Sequence, residues 1–337
     1  MRFGVFLYSS SSCEWPILGW QWTPERRMAS ELKKMAEGGL KFVIPLMPFD
    51  FRVRKLETTG ADALKLLISK CHEYQMEVHP TFCVFFNEER AEISSIIQEH
   101  PDWGIVNRRR EILPLLDPGK PEVRDFIIDR ILGIARRYDI DGILLDFIRY
   151  QGDAVGDVCY CKRCRDDFKE AYGKDPLELS EDDPLMEKWD DTRRQNINTF
   201  VQSFYDKSKK VRNDLSLSAY VWARGDTKGV YQDWPVWVER KKLDWISHGC
   251  YTDDMTHFAN TCRRFVSTVK NKIPAYIVIC PKSSLVNPDK YELTADQIVK
   301  QMQIAKEAGV DGITFCYWYN LRPKLADVSK IIHQWSS

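Results

Sequence analysis

Eight short apolar runs, each followed by a segment with helical periodicity, most strongly limit how this chain can fold. Strands that alternate with helices pair in parallel, and eight such units close into a (β/α)8 barrel, the TIM barrel. An open doubly wound sheet is the alternative, but no glycine-rich phosphate loop follows an early strand. We therefore predict a single α/β domain, residues 1–337, folded as a (β/α)8 barrel. The predicted strands are residues 3–9, 41–47, 77–86, 142–147, 215–223, 244–251, 275–280 and 312–319.

The connection after the fourth predicted strand is much longer than the others. It covers about residues 151–184 and precedes a long predicted helix over residues 185–212. Within it lie a cluster of cysteines, a short predicted helix at residues 165–172 and an acidic loop. We call residues 151–184 the excursion, and we expect it to lie beside the carboxyl-terminal mouth of the barrel.

The charge balance gives no sign of a nucleic-acid or membrane partner, because 49 Lys and Arg residues are matched by 49 Asp and Glu residues. No apolar run approaches the length that spans a bilayer. The first residues, Met1 to Tyr8, lack the basic region and cleavage site of a signal peptide and are interpreted as the first strand. The ten cysteines are scattered, several of them inside predicted strands, which favours free thiols in a reducing compartment and a cytoplasmic protein. No feature of the sequence indicates an oligomeric state.

The fourth predicted strand ends in charge. Its apolar run, Ile143 to Leu145, is followed by the carboxylate Asp146, the cation Arg149 and the phenol Tyr150. A buried unpaired carboxylate is costly, so this one requires a reason. One reason is a structural ion pair between Asp146 and Arg149. The other is an active site at the carboxyl end of a barrel strand, and the sequence context favours it.

Acidic and aromatic residues dominate the other predicted strand ends as well. Aromatic rings pack on the apolar face of a pyranose, and carboxylates bind its hydroxyls or cleave the glycosidic bond. No His pair stands at metal-ligand spacing, and no Gly-x-Ser-x-Gly elbow is present. The sequence therefore indicates a carbohydrate site. The predicted substrate-binding residues are Tyr8, Arg149, Tyr150, Trp222, Arg224, Tyr251, Tyr317 and Trp318.

The excursion carries a C-x-C-x-x-C motif formed by Cys159, Cys161 and Cys164. Three thiols at this spacing can converge on one tetrahedral Zn2+, and sulfur-rich zinc sites are structural rather than catalytic. Candidates for the fourth ligand are Cys83, Cys13, an Asp or a water. The alternative is a disulfide or three ordinary loop cysteines. We predict a structural zinc that anchors the excursion, and no cofactor for catalysis.

Four segments resemble the glycosyl-hydrolase-like barrels known as family 10-like glycosyl hydrolases: residues 116–125, 138–150, 243–251 and 309–315. The second segment, which contains Asp141 and Asp146, is the most specific. The resemblance is spread over residues 3–319 and implies a (β/α)8 barrel that hydrolyses carbohydrate, with an oligo- or polysaccharide substrate. The C-x-C-x-x-C spacing is also similar to the zinc knuckle that follows strand four in family 42 β-galactosidases.

Three positions depart from the family's pattern. Leu144 stands where the family has His, and Arg149 belongs to a Phe-Ile-Arg sequence that replaces an acidic-aromatic one. Gly249 stands where the family has the end of a Pro-Gln pair. These departures concern contacts with the substrate rather than the fold.

By analogy with retaining barrel glycosidases, we assign Asp146 as the nucleophile and a second acid across the mouth as the acid/base. Asp253 or Asp254, after strand six, is the first choice, and Asp226, after strand five, is the second. Retention and inversion both stay open, because they depend on the separation of the two carboxylates.

Two other functions stay open at this level. A carbohydrate-binding barrel that has lost catalysis would keep the aromatic residues but show no turnover. A lyase of the aldolase type would use Lys282, after the seventh predicted strand, to form a Schiff base with a carbonyl substrate.

Overall fold

A computed structural model describes residues 1–7, 24–47, 60–86, 95–152, 156–222, 227–283 and 291–336 of the 337-residue chain. Within these residues the parallel strands form one closed barrel, which confirms the predicted fold. The barrel strands are β1 (Arg2–Leu7), β2 (Phe42–Pro45), β3 (Glu77–Val78 and Thr81–Cys83), β4 (Gly142–Asp146), β5 (Ser216–Val221), β6 (Trp245–Gly249), β7 (Ala275–Ile279) and β8 (Gly312–Phe315).

The strand β3 closes the barrel through its two separate parts. Its first part pairs with β2, where Phe42 lies beside Glu77, and its second part pairs with β4, where Thr81 lies beside Leu144. The strand order is therefore β3–β2–β1–β8–β7–β6–β5–β4, returning to β3, and every neighbouring pair is parallel. A bridge between Leu46 and Thr81 joins the second part of β3 to the end of β2 as well. The ring is closed, which excludes an open doubly wound sheet.

The described helices are α1 (Glu25–Glu37), α2 (Ala63–Glu73), α3 (Ser95–Glu99), α4 (Pro121–Arg137), α5 (Lys162–Tyr172), α6 (Leu185–Val211), α7 (Trp234–Glu239), α8 (Met255–Val269), α9 (Ala295–Ala308), α10 (Trp318–Leu321) and α11 (Leu325–Ser336). Capping residues explain why their bounds follow the sequence closely. In α9, Thr294 and Gln297 form a reciprocal capping box, and Gly309 ends the helix with a φ of 86°. Among the described residues, no helix has the length and apolar character needed to cross a membrane.

Two hydrophobic cores divide the residues of each strand between them. Alternate residues of β4, such as Ile143 and Leu145, pack in the large core shared with the helices. Leu144 belongs instead to a second cluster with Phe6 and Tyr276, which come from other strands of the ring, so this cluster fills the barrel interior. Because side chains alternate along a strand, Leu144 and the residue two positions later point to the same side. The last residue of β4 therefore faces the interior.

One element was not predicted from the sequence: an antiparallel hairpin that pairs Gly104–Val106 with Ile112–Leu116. Its turn lacks the Asn-Gly or Asp-Gly pair that marks most tight hairpins. Instead, the Asn107 side chain accepts hydrogen bonds from two backbone N–H groups of the turn, and Arg110 takes a positive φ of 67°. The eighth strand is also shorter than predicted, because the chain turns into α10 soon after Phe315.

The packing around two glycines predicts opposite effects on stability when each is replaced by alanine. A Cβ atom at Gly4 would overlap the ring of Phe42 on the neighbouring strand, whereas a Cβ at Gly133, inside α4, would meet nothing within 4 Å. We expect Gly4→Ala to destabilise the fold by about 1–3 kcal/mol through overpacking. Gly133→Ala, the matched control, should stabilise it by roughly 0.5–1 kcal/mol. Urea unfolding of both variants measures the two effects, and equal stability of Gly4→Ala and the parent would contradict the packing.

Candidate functional site

Asp146 is the last residue of β4 and lies on the inward face, two positions after Leu144. It is half-buried, although the residues just before it are fully buried. Residue pairs of β4 and β5 are in register up to Leu145 and Ala219, so the next pair, Asp146 and Tyr220, lies side by side. Asp146 therefore stands at the carboxyl-terminal mouth of the barrel, where barrel enzymes carry their active sites.

The surroundings of Asp146 change its proton affinity. Burial raises the pKa of Asp146 from its usual value to about 6. The charge of Arg149 opposes this rise, as does the N–H of Phe147, which donates to Asp146 Oδ1 at 2.6 Å. The carboxyl group therefore gains or loses its proton close to neutral pH, a property often found in catalytic acids and bases.

Arg149 is buried between two aromatic rings. Its guanidinium carbon lies 4.8 Å from the centre of the Phe147 ring and 4.9 Å from that of Trp222. Trp222, which follows β5, keeps 38% of its surface exposed. The stack therefore joins the loop after β4 to the loop after β5 and presents an indole at the mouth, next to the inward-facing Asp146.

Backbone contacts hold these two loops together. The N–H of Gly152 donates to the carbonyl of Gly229 at 2.9 Å, and the N–H of Tyr150 donates to that of Val230 at 3.1 Å. A Cβ atom at Gly152 would overlap the backbone of Gly229. The two loops can therefore approach this closely only because both residues are glycine. The loop after β5 is thereby fixed relative to Asp146.

Two tyrosines complete the described part of the mouth. Tyr251 follows β6, is half-buried and has its hydroxyl 3.3 Å from Cys316 Sγ. Tyr220 is also half-buried and packs against the interior cluster. Tyr220 was missed because only residues close to the carboxyl ends of the predicted strands were considered, and it stands three residues before the end of strand 215–223. The alternation Ser218, Tyr220, Trp222 on one face of β5 is the signal that would have found it.

Other predicted contacts lie elsewhere in the described structure. Tyr150 is fully buried beside the cysteine cluster, and its hydroxyl accepts a hydrogen bond from Asn196 at 3.0 Å. Tyr317 is buried in the interior cluster. Trp318 points towards the helix layer, because its indole N–H donates to Glu31 on α1 at 2.9 Å. Tyr8 and Arg224 lie outside the described residues.

The candidate acid/base residues differ in their surroundings. Asp254 caps α8, since its carboxylate accepts hydrogen bonds from the N–H groups of Thr256 and His257 at 2.7 and 3.0 Å. These bonds lower the pKa of Asp254, which keeps it ionised and suits a cap better than a proton donor. Asp253 is exposed in the same loop, and Asp226 lies outside the described residues.

Lys282 does not have the environment of a Schiff-base lysine. Its ammonium group is exposed and lies 2.8 Å from the carboxylate of Glu292. That carboxylate raises the pKa of Lys282, whereas a lysine that attacks a carbonyl requires a lowered pKa. The structure therefore gives no support to the lyase.

The three cysteines of the C-x-C-x-x-C motif converge with Asp117 in one buried cluster, all four donor atoms lying within 4.8 Å of one another. Asp117 Oδ2 is 3.2 Å from the sulfurs of Cys159 and Cys161 and 3.8 Å from that of Cys164. Asp117 directly follows the hairpin strand Ile112–Leu116. An Asp was one of the predicted candidates for the fourth ligand, and the unpredicted hairpin explains why Asp117 itself was not identified from the sequence.

The donors of this cluster suit a metal ion. Three thiols and one carboxylate are four ligands of the type that Zn2+ takes in tetrahedral sites. Backbone N–H groups of Val106 and Cys161 point at the sulfur of Cys159, at 3.2 and 3.4 Å, and would stabilise negative charge there. Burial also raises the pKa of Asp117 to about 7, so a carboxylate at this position gains from a nearby cation. The residues present therefore fit a zinc ion.

A buried ion network fixes the excursion at a second point. Arg193 on α6 is 1% exposed and pairs with both Asp157 and Asp190. Its guanidinium also donates to the carbonyl of Val158 at 2.8 Å and stacks 4.6 Å from the ring of Tyr231. Because Tyr231 belongs to the loop after β5, the network joins the excursion, α6 and the mouth of the barrel.

Comparison with known families and curated proteins places the chain among glycosidase-like proteins. The family model described as glycosyl hydrolase-like 10 matches residues 50–283. The glycosyl hydrolase YngK of Bacillus subtilis (strain 168) is 26% identical over 216 residues, which are 57% of this chain and 39% of YngK. The glycosyl hydrolase DigH of Escherichia coli (strain K12) is 24% identical over 236 residues, 58% of this chain and 47% of DigH. The chain thus spans less than half the length of these two relatives.

Solved structures share the fold. The β-galactosidase of the psychrophilic Marinomonas ef1 superposes with a TM-score of 0.74 at 11% identity, covering 100% of this chain and 60% of that one. The glycoside hydrolase domain of PgaB (BpsB) from Bordetella bronchiseptica gives a TM-score of 0.67 at 12% identity, with 98% of both chains covered. At these identities the similarity concerns the architecture alone.

The Arg193 network can be tested by mutation. Arg193→Met should destabilise the protein by about 3–5 kcal/mol, because the largely buried carboxylates of Asp157 and Asp190 then lose their cationic partner. Arg194→Met is the control: Arg194 pairs with Glu187 and Asp191, whose side chains are 71% and 44% exposed, so the loss should be about 1 kcal/mol or less. Denaturant unfolding gives both values, and similar losses would show that the network carries little energy.

Proposed function

Since the chain belongs to the glycosyl hydrolase-like 10 family, we propose that it is a glycoside hydrolase acting on an oligo- or polysaccharide. The observation that carries the proposal is the position of Asp146, an inward-facing, half-buried carboxylate at the mouth of the barrel. Exposed Trp222, stacked on Arg149, supplies an aromatic surface of the kind that packs against a pyranose ring. In this proposal the sugar whose bond is cleaved binds beside Asp146.

In this proposal Asp146 attacks the anomeric carbon as the nucleophile. A second carboxyl group protonates the leaving oxygen and afterwards activates a water. Asp253 or Asp226 takes that part, because the capping bonds of Asp254 keep it ionised. Catalysis needs no cofactor in this scheme. No disulfide joins the nine cysteines in the described residues, which supports a cytoplasmic or other reducing location.

Asp146→Asn separates the hydrolase from a sugar-binding barrel without catalysis. The variant should lose at least about 1,000-fold in kcat, because the nucleophile is gone, while the affinity for the same oligosaccharide stays within a few-fold. A panel of aryl glycosides and natural oligosaccharides identifies the substrate, and isothermal titration calorimetry measures binding. If the parent protein binds oligosaccharides but hydrolyses none of them, the binding-only function is correct.

The pH profile tests the role of Asp146. A nucleophile must be ionised, so kcat/KM should be full above pH 6 and fall as the pH drops through about 6, the pKa of Asp146. Arg149 lowers that pKa, so Arg149→Gln should move the acid limb to higher pH. Arg110→Gln, on the exposed hairpin turn, is the control and should not move it. A rise in kcat/KM as the pH falls below 6 would make Asp146 the proton donor instead.

We propose further that Asp117, Cys159, Cys161 and Cys164 hold a structural Zn2+ that anchors the excursion. The support is the convergence of four buried donors from two separate segments of the chain. An ordered connection of this length is entropically costly, and a metal that joins it to the hairpin would reduce that cost. The zinc would stabilise the fold and take no part in the reaction.

Metal analysis of protein purified without chelators should find about one zinc per chain. Cys161→Ser and Asp117→Ala should each lose the metal and lower the melting temperature by several degrees, since binding energy is folding energy at such sites. Cys71→Ala, at a buried cysteine of α2, is the control and should keep the metal. Absence of zinc, together with an unchanged melting temperature of Cys161→Ser, would make the cluster a set of loop thiols.

A further inference from the structure

Tyr220 is the residue of β5 that continues the strand register opposite Asp146. The register places it directly beside Asp146 on the adjacent strand, and both side chains lie on the inward face. The Asp146 carboxylate is near enough for its charge to help raise the pKa of the Tyr220 phenol, although burial is the main cause. The phenol therefore stays protonated at neutral pH and can donate a hydrogen bond next to the carboxylate.

Gly249 gives Tyr220 its position. A Cβ atom at residue 249 would overlap the Tyr220 hydroxyl and lie 2.6 Å from the ring carbon that carries it. The tyrosine thus lies across β6 at Gly249, where the absence of a side chain leaves room for it. Gly249 has no positive φ, so its glycine is required by space and not by backbone conformation. This is also one of the positions where the chain departs from the family's sequence pattern.

Three other glycines of the interior lie under a ring in the same way: Gly4 under Phe42, Gly142 under His79 and Gly312 under Tyr276. Gly142 and Gly312 are the first residues of their strands, so these rings fill the closed end of the barrel. Gly249 is the last residue of β6, so its ring lies at the mouth. Tyr220 is half-buried there, and its hydroxyl lies near that of Tyr251.

We propose that Tyr220 is a substrate-contacting residue of this site, whose phenol donates a hydrogen bond to a hydroxyl of the sugar bound at Asp146. The proposal rests on the glycoside hydrolase function proposed above. Tyr251 lies beside the Tyr220 hydroxyl on one side, and the sugar would meet the O–H of Tyr220 on the other. Hydrogen bonds to sugar hydroxyls that strengthen in the transition state contribute to catalysis by glycosidases. Gly249 then determines specificity indirectly, by admitting the ring.

The test removes the hydroxyl and keeps the ring. With the substrate found in the glycoside panel, Tyr220→Phe should reduce kcat/KM by about tenfold or more, with the loss mainly in kcat. Its melting temperature and its acid limb near pH 6 should match the parent. Tyr276→Phe is the matched control, because Tyr276 also covers a glycine of the neighbouring strand but lies at the closed end. It should keep the parent's kinetics.

Each other result has a separate meaning. If Asp146→Asn abolishes turnover but Tyr220→Phe keeps the parent's kcat/KM, the role of Tyr220 is wrong and the hydrolase stands. An acid limb moved to higher pH in Tyr220→Phe would place the phenol on Asp146 rather than on the sugar, which also overturns the proposal. If the parent hydrolyses no glycoside, the proposed function fails and the role of Tyr220 fails with it.

The position of the ring can be checked without a substrate. Gly249→Ala should lower the melting temperature, because the new methyl group overlaps the Tyr220 hydroxyl. In a Tyr220→Ala background the same change should cost much less, since the overlap is gone. Additive effects of the two substitutions would show that the tyrosine does not lie over Gly249, and the proposal would lose its geometric basis.

Discussion

The two-residue alternation of the barrel strands is the constraint on which the rest of the structure depends. It sends Ile143 and Leu145 to the helix layer and Leu144 to the interior, and both destinations are apolar. The following inward position is the first that meets the mouth of the barrel, and there the chain places Asp146. A shift of register by one residue would turn this carboxylate into the helix layer, where burial without a partner is costly. The same packing that stabilises the strand therefore fixes the direction of the Asp146 carboxylate.

The interior is filled by pairing rings with glycines. An eight-stranded barrel leaves an interior that side chains must fill without voids, and large residues fit when a small one lies on the neighbouring strand. Phe42, His79 and Tyr276 each cover a glycine in this way and close the amino-terminal end. Tyr220 over Gly249 applies the same packing at the mouth, where a polar ring can also meet a ligand. If Tyr220 contacts the sugar as proposed, one packing arrangement of ring over glycine fills the interior and also forms part of the binding site.

Sequence reasoning predicted the architecture well because the signals are local and repeated. The strands lie where the apolar runs predicted them, and the long helix predicted over residues 185–212 is observed as α6, Leu185–Val211. The site was predicted less completely. Tyr220 lies inside a strand, and its importance depends on the register between β4 and β5, which is a relation between distant residues. Asp117 joins the cysteines through a hairpin whose turn has no common sequence signature.

The second carboxylate of the proposed reaction has to come from a loop. Among the inward-facing residues described at the mouth, Tyr220, Tyr251, Cys280 and Cys316 accompany Asp146, and none of these four is an acid. The loops after β5 and β6 therefore decide the distance between the two reacting groups. The loop after β5 is fixed near its start, because the N–H of Trp222 donates a hydrogen bond to the Gln232 side chain at 3.1 Å. The same loop is fixed a second time by the close backbone contact between Gly229 and Gly152. The buried Arg193 network supports the same loop through Tyr231, so the anchors of the excursion also fix the described ends of the loop after β5 relative to β4.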